Sequence, residues 1–257
     1  ILSLLIDSGL TYVVLPLTRE RVDDVVQQLK TFKIKQVMAI SPIGFAIEDW
    51  RRLLNGNPHS RWFFYDHLAH NSMDNHIHHE HISYVWTDRR EGDRMVLDYV
   101  AGRGYRNLII NDWEMWRQLL ELPPDYPLTG SEALNYGSLP GNVSLFELGK
   151  IVAERILRMP RCKEPTAIYI RDDFAMGAAI RHLTENGCRI PEDFGCISLD
   201  GLPESEYFVR SLTTLEFPHE QMLEASYRWI MSGAAIREKF LPRIREGQTM
   251  PPVKTLA

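Results

Sequence analysis

Residues 165–201 read PTAIYIRDDFAMGAAIRHLTENGCRIPEDFGCISLDG. Ala167-Ile168-Tyr169-Ile170 is a β-branched and aromatic run, the composition of a buried strand. Arg171-Asp172-Asp173 follows, and an acidic pair suits a helix start, by capping and by its interaction with the helix dipole. Phe174 to Asn186 then reads as helix, with Gly187 just past its end. Ile190-Pro191-Glu192-Asp193 is a turn, and Gly195 to Leu199 is a second strand closing on Asp200. Strand, helix and strand in this length make a βαβ unit, with parallel strands and a right-handed crossover. Ligands of open parallel sheets sit beyond the carboxyl ends of the strands, which puts Arg171, Asp172 and Asp200 on one rim.

Working outward, Thr11 to Leu15 reads as strand and Arg19 to Lys33 as an amphipathic helix with Val22, Val25, Val26 and Leu29 on one face. Gln36 to Ile40 is the next strand, Phe45 to Leu54 a helix, and Trp62 to Tyr65 a strand ending at Asp66. After a polar stretch from His67 to His81 come strand Ile82–Trp86, helix Asp88–Gly104 and strand Asn107–Ile110. Asp112–Leu122 reads as helix, Ala133–Gly137 as strand and Ser144–Met159 as helix. Thr213–Phe217 reads as strand, and Pro218 opens a helix expected to reach Lys239. Ile1–Ser8 has helical spacing. This β/α alternation predicts an α/β fold with parallel sheets.

The motifs also resemble the effector-binding core of the LacI/GalR family of bacterial transcription regulators. Arg171-Asp172-x-x-Ala175-x-Gly177 is similar to the family's Asn-Asp-x-x-Ala-x-Gly, and Gly187-x-x-Ile190-Pro191-x-Asp193 to its Gly-x-x-Val-Pro-x-Asp. Ser211-Leu212-Thr213-Thr214-Leu215 resembles Pro-Leu-Thr-Thr-Val, and Val85-x-x-Asp88-x-x-x-Gly92 resembles Val-x-x-Asp-Asn-x-x-Gly. The tail Met250–Leu256 resembles the family's closing strand. The resemblance implies two Rossmann-like lobes of periplasmic-binding-protein type I, joined by three crossings with a cleft between them. The lobes would be 1–104 with a returning helix at 215–243, and 105–214 with a closing strand at 244–257. The family's first strand and effector loop, its helix-turn-helix and its hinge helix have no match in the sequence given, so this stretch alone is not expected to bind operator DNA. A homodimer is implied, and Met176 and Phe208 match places where family dimers touch, although both also suit a core.

The 257 residues are 44% apolar and 25% charged with a net charge of −5, the balance of an ordinary acidic protein rather than a general nucleic-acid binder. Cys162, Cys188 and Cys196 have no CxxC spacing, so free thiols in a reducing compartment are expected. No apolar run approaches the roughly 18 residues of a membrane span, and the expected location is cytoplasmic. No cofactor fingerprint or catalytic constellation occurs: there is no Gly-x-Ser-x-Gly, no P-loop, no His-Glu-x-x-His.

Asp200 is the first candidate for ligand binding. It has no helix directly behind it to cap, and a carboxylate can accept from two neighbouring hydroxyls of a polyol. It also matches a family position that commonly contacts effector. Asp66, Asp88 and Asp172 end strands or begin helices at the same edge, where capping is the competing role. Arg171 and Arg89 stand where the family has asparagine, and Arg117 is the nearest counterpart of its cleft arginine. Two guanidiniums in place of two amides turn a neutral polyol site toward a sugar acid or sugar phosphate, unless they pair with Asp172, Asp200 or Asp88. Trp86, Trp113 and Trp116 offer stacking faces for a sugar ring or fill the core, and Leu139 completes the set. His76, His78, His79, Glu80 and His81 lie close enough to invite a metal, but without a four-ligand pattern they read as a solvated loop. The sequence therefore points to an effector-sensing domain controlling DNA binding allosterically, with a solute receptor of the same architecture as the alternative. A sugar-modifying enzyme has only the carboxylates in its favour.

Overall fold

The computed structural model describes residues 11–40, 47–65, 82–132 and 143–253, without the side chains of Ile47 and Glu132. The chain divides into two units, one of residues 1–88 with 218–241 and one of 89–217 with 242–257. Each is built round its own mainly parallel sheet, so the α/β architecture expected from the βαβ alternation is the one observed.

In the first unit the strands β1 (Gln36–Ile40), β2 (Arg61–Tyr65), β3 (Ile82–Thr87) and β9 (Arg237–Phe240) lie in the order β1-β2-β3-β9, all parallel. The pleat of β2 sorts its aromatics to two faces. Trp62 and Phe64 join Val22, Val25 and Leu29 of helix α1 (Val22–Thr31) and Leu53 of α2 (Ile47–Gly56). Phe63 and Tyr65 join Met222, Ala225 and Trp229 of α7 (His219–Ser232).

The second unit holds six strands, β10-β8-β7-β6-β4-β5. They are β4 (Asn107–Ile110), β5 (Thr129–Glu132), β6 (Thr166–Ile170), β7 (Gly195–Asp200), β8 (Thr213–Glu216) and β10 (Arg243–Arg245), the last antiparallel to β8. Ala167 and Tyr169 face one core, with Val96, Leu97 and Val100 of α3 (Arg89–Gly102) and Trp116 of α4 (Trp113–Leu119). Ile168 and Ile170 face the other, with α5 (Leu145–Arg158) and α6 (Asp173–Glu185). Those two helices pack so closely that a Cβ on Gly149 would lie 2.1 Å from the Ala175 carbonyl oxygen.

Several expectations are corrected. Thr11–Leu15 forms no strand. The helix opened by Pro218 stops at Ser232, where Gly233 takes a left-handed φ of 70°, and Arg237–Phe240 is a strand against β3 rather than more helix. The strand beside β4 is Thr129–Glu132; Ala133–Gly137 and Ile1–Ser8 lie outside the described residues. The final strand is Arg243–Arg245, and Met250–Val253 is not a strand. The first passage between units falls at Asp88–Arg89 rather than Gly104, because α3 buries its apolar face in the second unit's core. The chain returns at Phe217–Pro218 and crosses again at Leu241–Pro242. Met176, expected at a contact between copies, is fully buried among Ala175, Ala179 and Leu183 and presents no surface.

Candidate functional site

The carboxyl ends of β6 and β7 carry the site. The two strands are parallel neighbours with Ile170 beside Ser198, so Arg171 and Asp172 leave one strand next to Asp200 at the end of the other. Asp172 is the helix cap that the sequence allowed: its Oδ1 accepts from the Ala175 N–H at 2.7 Å. Replacing it with alanine should cost about 1 kcal/mol, read as a small fall in the thermal midpoint with no change of fold.

Asp173, which the sequence offered only as the second acid of a helix start, is the organising residue. It is fully buried. Its Oδ1 accepts from the Ser198 and Thr214 hydroxyls and its Oδ2 from the Leu202 N–H at 2.7 Å. Thr214 Oγ1 in turn accepts from the Gly201 N–H at 3.2 Å. One carboxylate thus ties α6, β7, β8 and the turn after β7. A cue lay in the sequence: of two adjacent acids at a helix start, only one can cap.

That turn presents Asp200. Its φ of 127° is unusual for a residue with a side chain, and Gly201 behind it has φ 71°. A Cβ on Gly201 would meet Glu216 Cα at 2.5 Å, so no larger residue fits. Strain of this kind is held where a side chain must point a given way. The Asp200 carboxylate makes no hydrogen bond or ion pair among the described residues, whereas those of Asp172 and Asp173 are engaged. Its pKa is pushed up to about 7, chiefly by burial and then by Asp172 and Asp173, against the pull of Arg89 and Arg171. The folded value lies above the ordinary 3.8, so the native state holds this proton more readily than the unfolded chain. Its contribution to stability is complete below about pH 4 and disappears as the pH rises through 7. Melts of Asp200→Asn should therefore gain on the parent protein between pH 5 and pH 8, by on the order of 1–2 kcal/mol after solvent screening. A difference independent of pH would contradict this.

Among the described residues of its unit, Arg171 forms no hydrogen bond or ion pair with Asp172 or Asp200. Its Nη2 donates to Asp93 Oδ2 at 3.3 Å, and its guanidinium carbon lies 5.1 Å from the Trp116 ring centre. Asp93, on α3, also accepts from the Tyr169 hydroxyl at 2.8 Å. Burial raises its pKa, while Arg171 and the Tyr169 bond oppose the rise. The sequence reading missed Asp93, since nothing in its spacing links it to a residue 78 positions away. Arg89 lies 5.6 Å from the Phe217 ring centre.

The other candidates fall elsewhere. Trp113 is half-buried against the core and lies where a Cβ on Gly130 would be 2.0 Å from its ring, so it is a packing residue. Trp116 is buried beneath Arg171. Arg117 is on α4 and is not among the charges acting on Asp200. Asp88 and Trp86 belong to the first unit and share Lys239, whose Nζ is 2.8 Å from Asp88 Oδ2 and 5.3 Å from the Trp86 ring centre. Asp66, Leu139 and the His67–His81 stretch lie outside the described residues. Among the described residues no group of three His, Cys, Asp or Glu could hold a metal. The three cysteines are free thiols, with Cys188 and Cys196 buried.

A cavity of about 780 Å³ lies at the opposite edge, where β4, β6 and β7 begin, with Asn107, Ser131, Thr166, Cys188 and Phe194 in its lining. Its buried polar groups satisfy one another. Ser131 donates to Asn107 Oδ1 at 2.8 Å, Asn107 to Thr166 Oγ1 at 3.3 Å, and Thr166 to the Glu164 carbonyl at 2.9 Å. It is also the wrong edge for ligand in an open parallel sheet.

Residues 128–249, most of the second unit, match the family model of a periplasmic binding protein-like domain. The relatives it resembles are named as HTH-type transcriptional regulators, and the solved structures as LacI family regulators or the lac repressor. The chain resembles the periplasmic-binding-protein-like domains of LacI-type regulators. The chain is 34% identical over 70 residues to the HTH-type transcriptional regulator MalR of Clostridium butyricum, covering 27% of the chain and 21% of the relative. It is 33% identical over 84 residues to the HTH-type transcriptional repressor PurR of Aliivibrio fischeri, covering 33% and 25%. The matched stretches span a quarter or less of those relatives. In fold, it superposes on the LacI family regulator CCPA of Weissella paramesenteroides with bound glucose, at a TM-score of 0.69 and 16% identity over 96% of this chain and 90% of that one. The lac repressor dimer bound to operator and the anti-inducer ONPF gives 0.71 and 14% over 97% and 74%. The LacI family regulator of Enterococcus faecium with bound ribose gives 0.63 and 16% over 90% and 85%. Among the described residues no helix is long and apolar enough to cross a membrane.

Proposed function

We propose that this domain is the effector-sensing part of a bacterial transcription regulator, taking a small polyhydroxylated molecule at the Asp200 rim. The observation that carries the reading is Asp200 itself: a partly buried carboxylate, on a constrained turn at the ligand-binding edge of a parallel sheet, with no partner among the described residues. Sugar hydroxyls supply what that carboxylate lacks, and MalR and PurR among the relatives favour a regulator over a solute receptor or an enzyme. Bound effector would favour one of two arrangements by differential affinity and so shift operator binding by a helix-turn-helix elsewhere in the protein. The regulator would work in the cytoplasm as a homodimer. Phe208 itself packs inward over Gly177 and the second unit's core, so the surface offered for pairing is the exposed Tyr207 and Val209 beside it.

A thermal-shift screen with glucose, ribose and sucrose tests the reading. A ligand bound only by the folded state at a hundred times its Kd adds about 2.7 kcal/mol, a shift of several degrees. No shift with any polyol, alongside turnover of one of them, would replace the sensor with an enzyme.

A further inference from the structure

We infer that Asp93 sets the charge preference of the rim: by holding Arg171 against α3, it withholds the guanidinium from ligand and turns the site away from anions. This rests on the rim being the effector site, and it runs against the acidic effector that Arg171 and Arg89 suggest from sequence alone.

Two contacts hold Arg171, and its third feature is a buried nitrogen. Nη2 donates to Asp93, the guanidinium lies over Trp116, and Nε is buried with no hydrogen-bond partner among the described residues. The Arg171 side chain keeps 34% of its exposure, while Asp93 keeps only 4%. Swinging Arg171 out to an anion would leave a buried carboxylate with the Tyr169 hydroxyl as its one hydrogen-bond donor and without its ion-pair partner, the weaker pull of Arg89 remaining, and a buried charge that loses its partner is strongly unfavourable. The surrounding field points the same way. The charges acting on Asp200 are two guanidiniums, Arg89 and Arg171, against the two carboxylates Asp172 and Asp173, and Asp93 draws on the same two guanidiniums. Those carboxylates repel an incoming acid, whereas a neutral polyol can donate its hydroxyls to Asp200. Asp93 is therefore a specificity-determining residue that acts through another side chain.

Asp93→Asn removes the charge and keeps an acceptor for Tyr169. Calorimetric titration with inorganic phosphate at pH 7.5 should show affinity rising about tenfold or more over the parent protein, as a released guanidinium regains charge-assisted bonding. Adding Arg171→Gln should abolish that gain, and circular dichroism would confirm that the variants fold. An unchanged phosphate affinity in folded Asp93→Asn overturns the inference. Asp93→Ser serves if the amide misfolds. The parent protein with and without Arg171→Gln gives an independent reading: equal, weak phosphate binding supports the inference, and binding lost with Arg171 refutes it. The phosphate result does not depend on any sugar being found. Glucose binding, and its loss in Asp200→Asn, tests the effector reading separately.

Discussion

Asp173→Ala is expected to cost at least about 3 kcal/mol, a fall of roughly 6–12 °C in the thermal midpoint for a chain of this size. Three donors lose a common acceptor, and two of them, the hydroxyls of Ser198 and Thr214, belong to fully buried residues. No water reaches them to compensate, and a buried polar group left unpaired costs about 1–3 kcal/mol. The comparison with Asp172→Ala is the check. Adjacent aspartates of one helix start should differ about threefold in cost, because one caps an accessible helix end and the other ties three elements together. Equal midpoints for the two variants would remove Asp173 from the centre of this unit.

Asp200→Asn should weaken binding of a polyol effector by more than about tenfold. The amide keeps one acceptor oxygen and loses the charge, so two hydroxyls can no longer both be held by an anionic partner. The proton follows the same logic. Hydrogen bonds from ligand hydroxyls favour the ionised carboxylate, and Asp200 titrates at about 7. Affinity in the parent protein should therefore rise between pH 6 and pH 8, with release of a proton on binding. In Asp200→Asn the rise should vanish. Calorimetry in two buffers of different ionisation enthalpy measures both effects. Undiminished affinity in the variant would move the ligand away from β7.

What was legible in the sequence was what local pattern controls. Thr166–Ile170 alternates between two cores and is buried throughout, so its composition announced a strand, and the acidic step after it announced a cap. Thr129–Glu132 is short, polar and at a sheet edge, with no apolar alternation to betray it. Arg237–Phe240 was hidden behind an amphipathic helix whose end depends on one glycine. The site divides in the same way. Asp200 could be found because strand ends in parallel sheets are where ligands go. The tie of Asp93 to Arg171 could not, because it joins two elements that only the folded sheet brings together. The two roles open to Trp113, sugar platform or core filler, could be told apart only by its close packing against Gly130.

Hydrogen–deuterium exchange with and without a bound sugar would locate the effector directly. Protection concentrated in residues 171–175 and 199–203, at the ends of β6 and β7, is the predicted result. Protection confined to residues 160–166 and 188–194, around the cavity at the opposite edge, would contradict it.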